Sequence, residues 1–263
     1  MADLLKHVAE SGFPWIGQLI HVFVGGSELH GAKVHGTDDL DIYGVYIEPP
    51  DLVLGLDSMP HFVWSTAGNE RRNGPKDVDI TLYSLKKWAA LACKGNPTAL
   101  HFLFAKRAIR SDAWSRILER KDVFLSRSCV PQFIGFADAQ LRRMTGQLGR
   151  GKKGQRPELE QKYGYDVKAG MHLLRLLYEC QELVATGSIT LPRPERDLLI
   201  RVRTGKYTME GVIAMAAKLF TKCEEAAGRS SLPEKIDRAA VSRLLAETYR
   251  EAWKTAGVAH APC

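Results

Sequence analysis

Two kinds of apolar spacing divide the chain. Up to about residue 110, apolar residues fall in short runs and alternations; beyond it they recur at the three-and-four spacing of amphipathic helices. The opening stretch, 1–12, sets Leu4, Leu5 and Val8 on one side of a short helix. Residues 19–24 are β-rich and stop at Gly25-Gly26. A second strand over 40–47 carries Leu40, Ile42 and, less regularly, Val45 and Ile47 as its apolar set; Pro49-Pro50 cannot continue its ladder. Residues 62–64 predict a third strand. After the turn signal Asn73-Gly74-Pro75, residues 77–83 alternate, with Val78, Ile80 and Leu82 on one face and Asp77, Asp79, Thr81 and Tyr83 on the other. Ser84 is placed to cap a helix over 85–94, closed by Gly95-Asn96-Pro97, and 98–104 reads as another short helix.

Past residue 109 the strand signals fade. Helical periodicity marks 133–148, 165–185, 209–227 and 241–253, and Leu173, Leu174, Leu176 and Leu177 suit a helix buried over a broad face. The pattern predicts an α+β protein. A small mixed β-sheet with flanking helices occupies 1–110, and an all-helical domain over 111–263 closes a cleft against it, a common place for a ligand.

Composition changes this picture little. Of 263 residues, 45% are hydrophobic and 25% charged, which excludes disordered, collagen-like and coiled-coil classes. The net charge of +7 is a mild basic bias that fits a polyanionic partner such as RNA or a nucleotide. Five cysteines, odd in number and with no CxxC, argue against a disulfide framework or structural zinc site and fit a reducing cytosol. No apolar run approaches the roughly 20 residues of a membrane span. Asp3, Lys6, His7 and Glu10 rule out a signal peptide. The expectation is a cytoplasmic protein without a membrane segment.

The candidate chemistry lies in Gly25-Gly26-Ser27, Asp39-Leu40-Asp41 and Asp79. The glycines let backbone approach a phosphate, helix N-terminal amides favour an anion, and the Ser27 hydroxyl adds a donor. This places a short helix over 27–33. Asp39 and Asp41, two apart on a strand, share a face with α-carbons about 6.6 Å apart. Two such charges repel unless a cation bridges them, and Mg²⁺ prefers hard oxygen ligands. An acid of the 77–83 strand, Asp77 or Asp79, supplies a third carboxylate. Two Mg²⁺ ions, or Mn²⁺ in their place, would then hold a nucleoside triphosphate for in-line attack by a hydroxyl. Asp38 competes for a metal role but should point the other way.

Lys168, His172 and Arg175 share one helix face at i, i+4 and i+7. That face is either solvated or turned to the cleft to hold triphosphate or base. Residues 142–156 hold six basic residues (Arg142, Arg143, Arg150, Lys152, Lys153, Arg156) and no acid. This reads as a basic loop gripping a nucleic-acid backbone or as a solvated linker. Its near match to a phosphate-binding Walker A loop fails, because Lys153 stands where Ser or Thr is needed and a helix precedes it. Cys93 with His101 does not make a thiol catalyst, and His21, His30 and His35 lack metal-triad spacing.

Gly26-Ser27 followed by Asp39-x-Asp41 and a hydrophobic residue resembles the signature of the DNA polymerase beta-like nucleotidyltransferase superfamily. The finer pattern is similar to the nucleotidyltransferases named for an RNA repair pathway. It comprises Gly26 to Gly31, Thr37 to Ile47, Asp79 with Tyr83-Ser84-Leu85-Lys86-Lys87, and Lys94-Gly95-Asn96-Pro97. In the back half, the stretch from Lys168 to Leu176, Gly187-x-Ile189, Ile200-Arg201-x-Arg203-x-Gly205 and Ser231-Leu232-Pro233 resemble that family's helical domain. The resemblance implies Mg²⁺-dependent transfer of a nucleotidyl group from a triphosphate, ATP among the candidates, to a hydroxyl. It assigns both metals to Asp39 and Asp41 and activation of the nucleophile to Asp79, preferring Asp79 over Asp77. It turns Lys168, His172 and Arg175 toward the nucleotide, with Gly25, Gly26 and Ser27. The expected acceptor is an RNA end. The rivals are a protein side chain or small molecule as acceptor, and a non-catalytic nucleotide- or RNA-binding module of the same fold.

Overall fold

The β-rich segments pair into one five-stranded mixed sheet, in the order β3-β4-β2-β1-β5. Its strands are β1 (Leu19–Val24), β2 (Leu40–Tyr46), β3 (His61–Ser65), β4 (Val78–Ser84) and β5 (Ala108–Arg110). This computed structural model describes residues 2–34, 36–68, 74–147 and 156–255. β2 and β4 run parallel, and every other neighbouring pair is antiparallel. Alternation gives the sheet two different faces. On one, Val22, Ile42, Ile80 and Leu82 pack with Leu4 and Val8 of α1 (Ala2–Glu10) and with Phe13. On the other, Phe23 and Val45 join a larger core with Trp88, Phe102 and the helices of the back half.

Local signals set most boundaries. The Ser84 side chain accepts from the Lys87 amide and starts α4 (Leu85–Cys93). Asn96 does the same for Ala99 at the start of α5 (Pro97–Phe104), with Pro97 in the first turn. The back half is built around α9 (Val167–Thr186), which packs against α7 (Val130–Met144), α10 (Arg196–Arg203) and α11 (Met209–Arg229). Leu173, Leu174, Leu176 and Leu177 are all buried, as the broad apolar face predicts. α12 (Arg238–Thr255) returns to the front of the chain. There the Tyr249 hydroxyl donates to Glu48 and accepts from the Lys86 amide, and Trp253 Nε1 donates to the Glu48 carbonyl. Among the described residues no helix is long and apolar enough to cross a membrane.

Several elements differ from the sequence expectation. The predicted helix over 27–33 is the single turn α2 (Gly26–Leu29), because Gly31, at φ +68°, turns the chain away. Between β2 and β3 lies α3 (Pro50–Leu54), which has a proline in its first turn. The pattern missed β5, a three-residue strand placed only by its antiparallel pairing with β1. It also missed α6 (Asp112–Glu119) and α8 (Pro157–Tyr163), whose few turns carry too little periodicity, and α10. Asn73 of the predicted turn lies outside the described residues, but Gly74 carries the turn by accepting from the Asp77 amide.

Front and back are clasped by a buried ion pair. The Arg203 guanidinium holds both oxygens of Asp38 and donates to the Ala32 carbonyl at 2.9 Å. The Val34 amide donates to the same carboxylate at 3.0 Å, so the 32–38 loop is fastened to α10. Burial opposes a charge on Asp38, yet Arg203, the Val34 amide and Ser27 hold its carboxyl below the usual range. Arg203→Met leaves a buried carboxylate without its cation. It is expected to destabilise the chain by about 3–5 kcal/mol in urea unfolding, and the Asp38→Leu/Arg203→Met pair should recover part of that loss.

Candidate active site

The parallel register of β2 and β4 sets Asp41 directly against Asp79. Paired residues of parallel strands project to the same face, so both carboxylates rise on the side of the sheet facing the helical half. Asp39, one residue before β2, follows Asp41 by alternation. The three residues bring carboxylate oxygens within 4.8 Å of one another. Burial, then Asp39 and Asp79, push the Asp41 carboxyl up to about 7, against the pull of Lys168. A set of hard oxygens repelling one another in partial burial suits a divalent cation such as Mg²⁺ or Mn²⁺, which Asp39, Asp41 and Asp79 would hold.

The other two acids do different work. Asp38 is the clasp to Arg203; it precedes β2, so strand alternation does not set its direction. Asp77 precedes β4 and ties the neighbouring turn. One oxygen accepts from Thr66 Oγ1 at 2.8 Å and the other from the Gly74 amide at 2.7 Å. Among the described residues it is Asp79, not Asp77, that joins Asp39 and Asp41.

The glycines have a nearer reason than phosphate. The Gly25 amide donates to the Asp41 carbonyl at 2.8 Å, which lays the β1–α2 turn over the acids. A Cβ on Gly26, at φ +55°, would stand 1.8 Å from Asp41 Oδ2; one on Gly25 would stand 2.1 Å from the Tyr43 ring. Both positions therefore need glycine before any ligand arrives.

A cavity of about 280 Å³ opens beside the acids. Gly26, Ser27, Asp39 and Asp41 line one side, and Lys168, His172 and Arg175 of α9 line another. Gly25 and Asp79 are not among the lining residues. The predicted basic face of α9 is thus turned to the cleft. Lys168 Nζ is 3.9 Å from Asp38 Oδ1, and burial followed by Arg203 and Arg156 lowers its pKa. His172 is held well below the usual imidazole range, first by burial and then by Arg175 and Lys168, so it is neutral at pH 7.

Tyr43, Arg156 and Glu179 are not assigned to the site by the motifs. Tyr43, two residues after Asp41 on β2, lines the cavity with Phe23 and Phe102 and gives it an aromatic side. Arg156 also lines it, with Nη1 3.1 Å from Asp166. Glu179, fully buried on α9, bonds Arg175 and His101. The Arg175–Glu179 spacing of i, i+4 inside an apolar stripe is the sequence signal that could have found it. Of the remaining histidines, His21 is a core residue stacked on Trp114 with ring centroids 4.4 Å apart, and His30 is buried beside Glu179. His35, Arg150, Lys152 and Lys153 lie outside the described residues; Arg142 is exposed and pairs with Asp138 at 2.8 Å.

Comparison with known proteins gives a family match over residues 1–246, to the family described as RlaP, the RNA repair pathway DNA polymerase beta family. Over 120 residues the chain is 26% identical to an uncharacterized 38.9 kDa protein in the nrdC-mobD intergenic region of Enterobacteria phage T4. That match spans 44% of this chain and 35% of the phage protein. Among solved structures it matches a nucleotidyltransferase-like protein from Exiguobacterium sibiricum 255-15 at 14% identity and a TM-score of 0.30, covering 85% of this chain and 72% of that one.

The acid cluster has a measurable signature. With its folded pKa raised to about 7, Asp41 binds a proton in the folded chain that the unfolded chain has released. The associated stability is full at acid pH and is lost as pH rises through 7. Asp41→Asn is therefore expected to unfold at a higher temperature than the parent at pH 8 in chelator, by about 2–4 °C per kcal/mol relieved. Mg²⁺ should raise the parent's Tm more at pH 8 than at pH 6 and leave the variant's unchanged, as followed by circular dichroism.

Proposed function

The chain belongs to the RNA repair pathway DNA polymerase beta family, and on that footing we propose that it transfers a nucleoside monophosphate from a triphosphate to a hydroxyl on an RNA end. The family supports nucleotidyl transfer in general. One observation carries the specific reading: Asp39 and Asp41, clustered with Asp79, line a cavity whose other side is a basic helix.

Each residue then has a task. Asp39 and Asp41 would hold two divalent cations, Mg²⁺ or Mn²⁺. When bound, such cations neutralise phosphate charge and make a hydroxyl easier to deprotonate. Asp79, set against Asp41, helps activate the acceptor and takes up its proton. The acceptor oxygen bonds to the α-phosphorus while the bond to pyrophosphate breaks, with no covalent enzyme intermediate. Lys168 and Arg175 offset the phosphate charge from the opposite wall. Neutral His172 hydrogen-bonds the nucleotide without adding charge, and Gly26 and Ser27 offer backbone amides at the turn that the Gly25 amide closes onto Asp41. In this reading residues 1–110 carry the acids and 111–263 the basic wall.

RNA as acceptor rests on the family's name and the net charge of +7. A cytoplasmic setting suits Cys129, Cys180 and Cys223, which are free and buried.

The test is incubation with each α-labelled ribonucleoside triphosphate, Mg²⁺ and a pool of cellular RNA and protein. Ribonuclease-sensitive label is expected, absent in chelator and reduced at least about a hundredfold by Asp41→Asn or Asp79→Asn. Label confined to protein would replace RNA as the acceptor, and no label from any triphosphate would end the transfer reading.

A further inference from the structure

Glu179 has no exposed surface and sits near the cavity, on a helix otherwise packed with leucine. A carboxylate so placed is costly, and an apolar residue of similar volume would serve the core at least as well. Its partners show what it does instead. Burial opposes its charge, but Arg175, His101 and His30 hold it ionised, well below the usual range.

His30, His101 and Glu179 bring ligand atoms within 4.8 Å of one another, a donor set that invites a metal. The place is taken. Arg175 Nη1 lies 3.0 Å from His30 Nε2 and 3.1 and 3.2 Å from the two Glu179 oxygens. The guanidinium, bonded to His30 and Glu179, already supplies positive charge at this point.

From this geometry we propose that Glu179 is a positioning residue, which fixes the Arg175 guanidinium so that its free edge faces the nucleotide. The guanidinium is planar and rigid, so pinning one end sets the direction of the other. Nη1 is spent on the buried network, while Nη2 has no partner among the described residues and Arg175 lines the cavity. Glu179 is itself held from α5, where His101 Nε2 lies 3.1 Å from Oε2. His30, the residue that ends α2, accepts from Arg175 through Nε2, which places its own proton on Nδ1, 3.1 Å from Glu179 Oε1. One carboxylate thereby registers three cavity-lining residues from α2, α5 and α9.

The proposal rests on the reading of the cavity as a triphosphate site, and a double-mutant cycle separates the two. Binding of Mg²⁺ complexes of ATP, GTP, CTP and UTP is measured by calorimetry for the parent, Arg175→Gln, Glu179→Gln and the double variant. Urea unfolding of each reports its stability. Glu179→Gln is expected to weaken triphosphate binding about tenfold alone and to cost nothing further once Arg175 is already Gln. The double variant, with neither charge left buried, should fold at least as well as Glu179→Gln. Should Glu179→Gln fail to fold, Glu179→Asp keeps the charge but withdraws the oxygens by one methylene, and it should weaken binding while remaining folded. Penalties that add in the double variant, or parent-like binding by a folded Glu179→Gln or Glu179→Asp, would overturn the positioning role and leave the site intact. A parent chain that binds none of the four triphosphates would overturn the site and this role together.

Discussion

The register between β2 and β4 is the constraint on which the rest of the structure depends. Parallel pairing puts Asp41 and Asp79 side by side on one face, and Ile42 and Ile80 side by side on the other. A slip of one residue would bury the acids against α1 and lift the isoleucines into the cavity. The apolar layer under the sheet therefore holds the acids in place. The hydrophobic effect fixes the register, and the register creates the charge cluster.

That cluster is held together against its own repulsion. Partial burial and two neighbouring carboxylates raise Asp41 far above an ordinary aspartate, so the fold spends stability to keep the three acids close. The β1–α2 turn tightens the arrangement, since Gly26 approaches Asp41 Oδ2 so closely that no other residue fits. Strain and repulsion concentrated at one point, in a fold otherwise well packed, mark the place where the chain is shaped for a ligand more than for stability.

Across the cavity the logic is reversed. α9 presents cations, and buried carboxylates meet them: Asp38 beside Lys168, Glu179 beside Arg175. Asp38 also fastens the loop that carries Asp39 to Arg203, so the acidic and basic walls share one clasp. Burial and charge together leave His172 neutral between two cations, a hydrogen-bonding group in a wall of point charges. The two walls come from the front and back halves of the chain, and the core that runs from Phe23 and Phe102 into Leu173 and Leu177 joins them.

Much of this was written in local pattern. Alternation over 77–83, the glycine stop after β1, the Ser84 cap and the leucine face of α9 each depend on neighbours within a few residues, so the sequence alone determined them. The motif order singled out Asp39, Asp41 and Lys168 for the same reason: the chemistry lies in short spacings. What only the tertiary structure decided are relations between distant segments. β5 exists through its pairing with β1. Asp38 became a clasp because Arg203 meets it from 165 residues away. Asp77 was taken by Thr66, whereas Asp79 met Asp41 through the parallel register. Glu179 looked like one more helical acid until His30 and His101 closed around it. A residue's own neighbourhood fixes its conformation and the face it occupies; the partner that meets that face depends on how the whole core packs, and no local spacing encodes it.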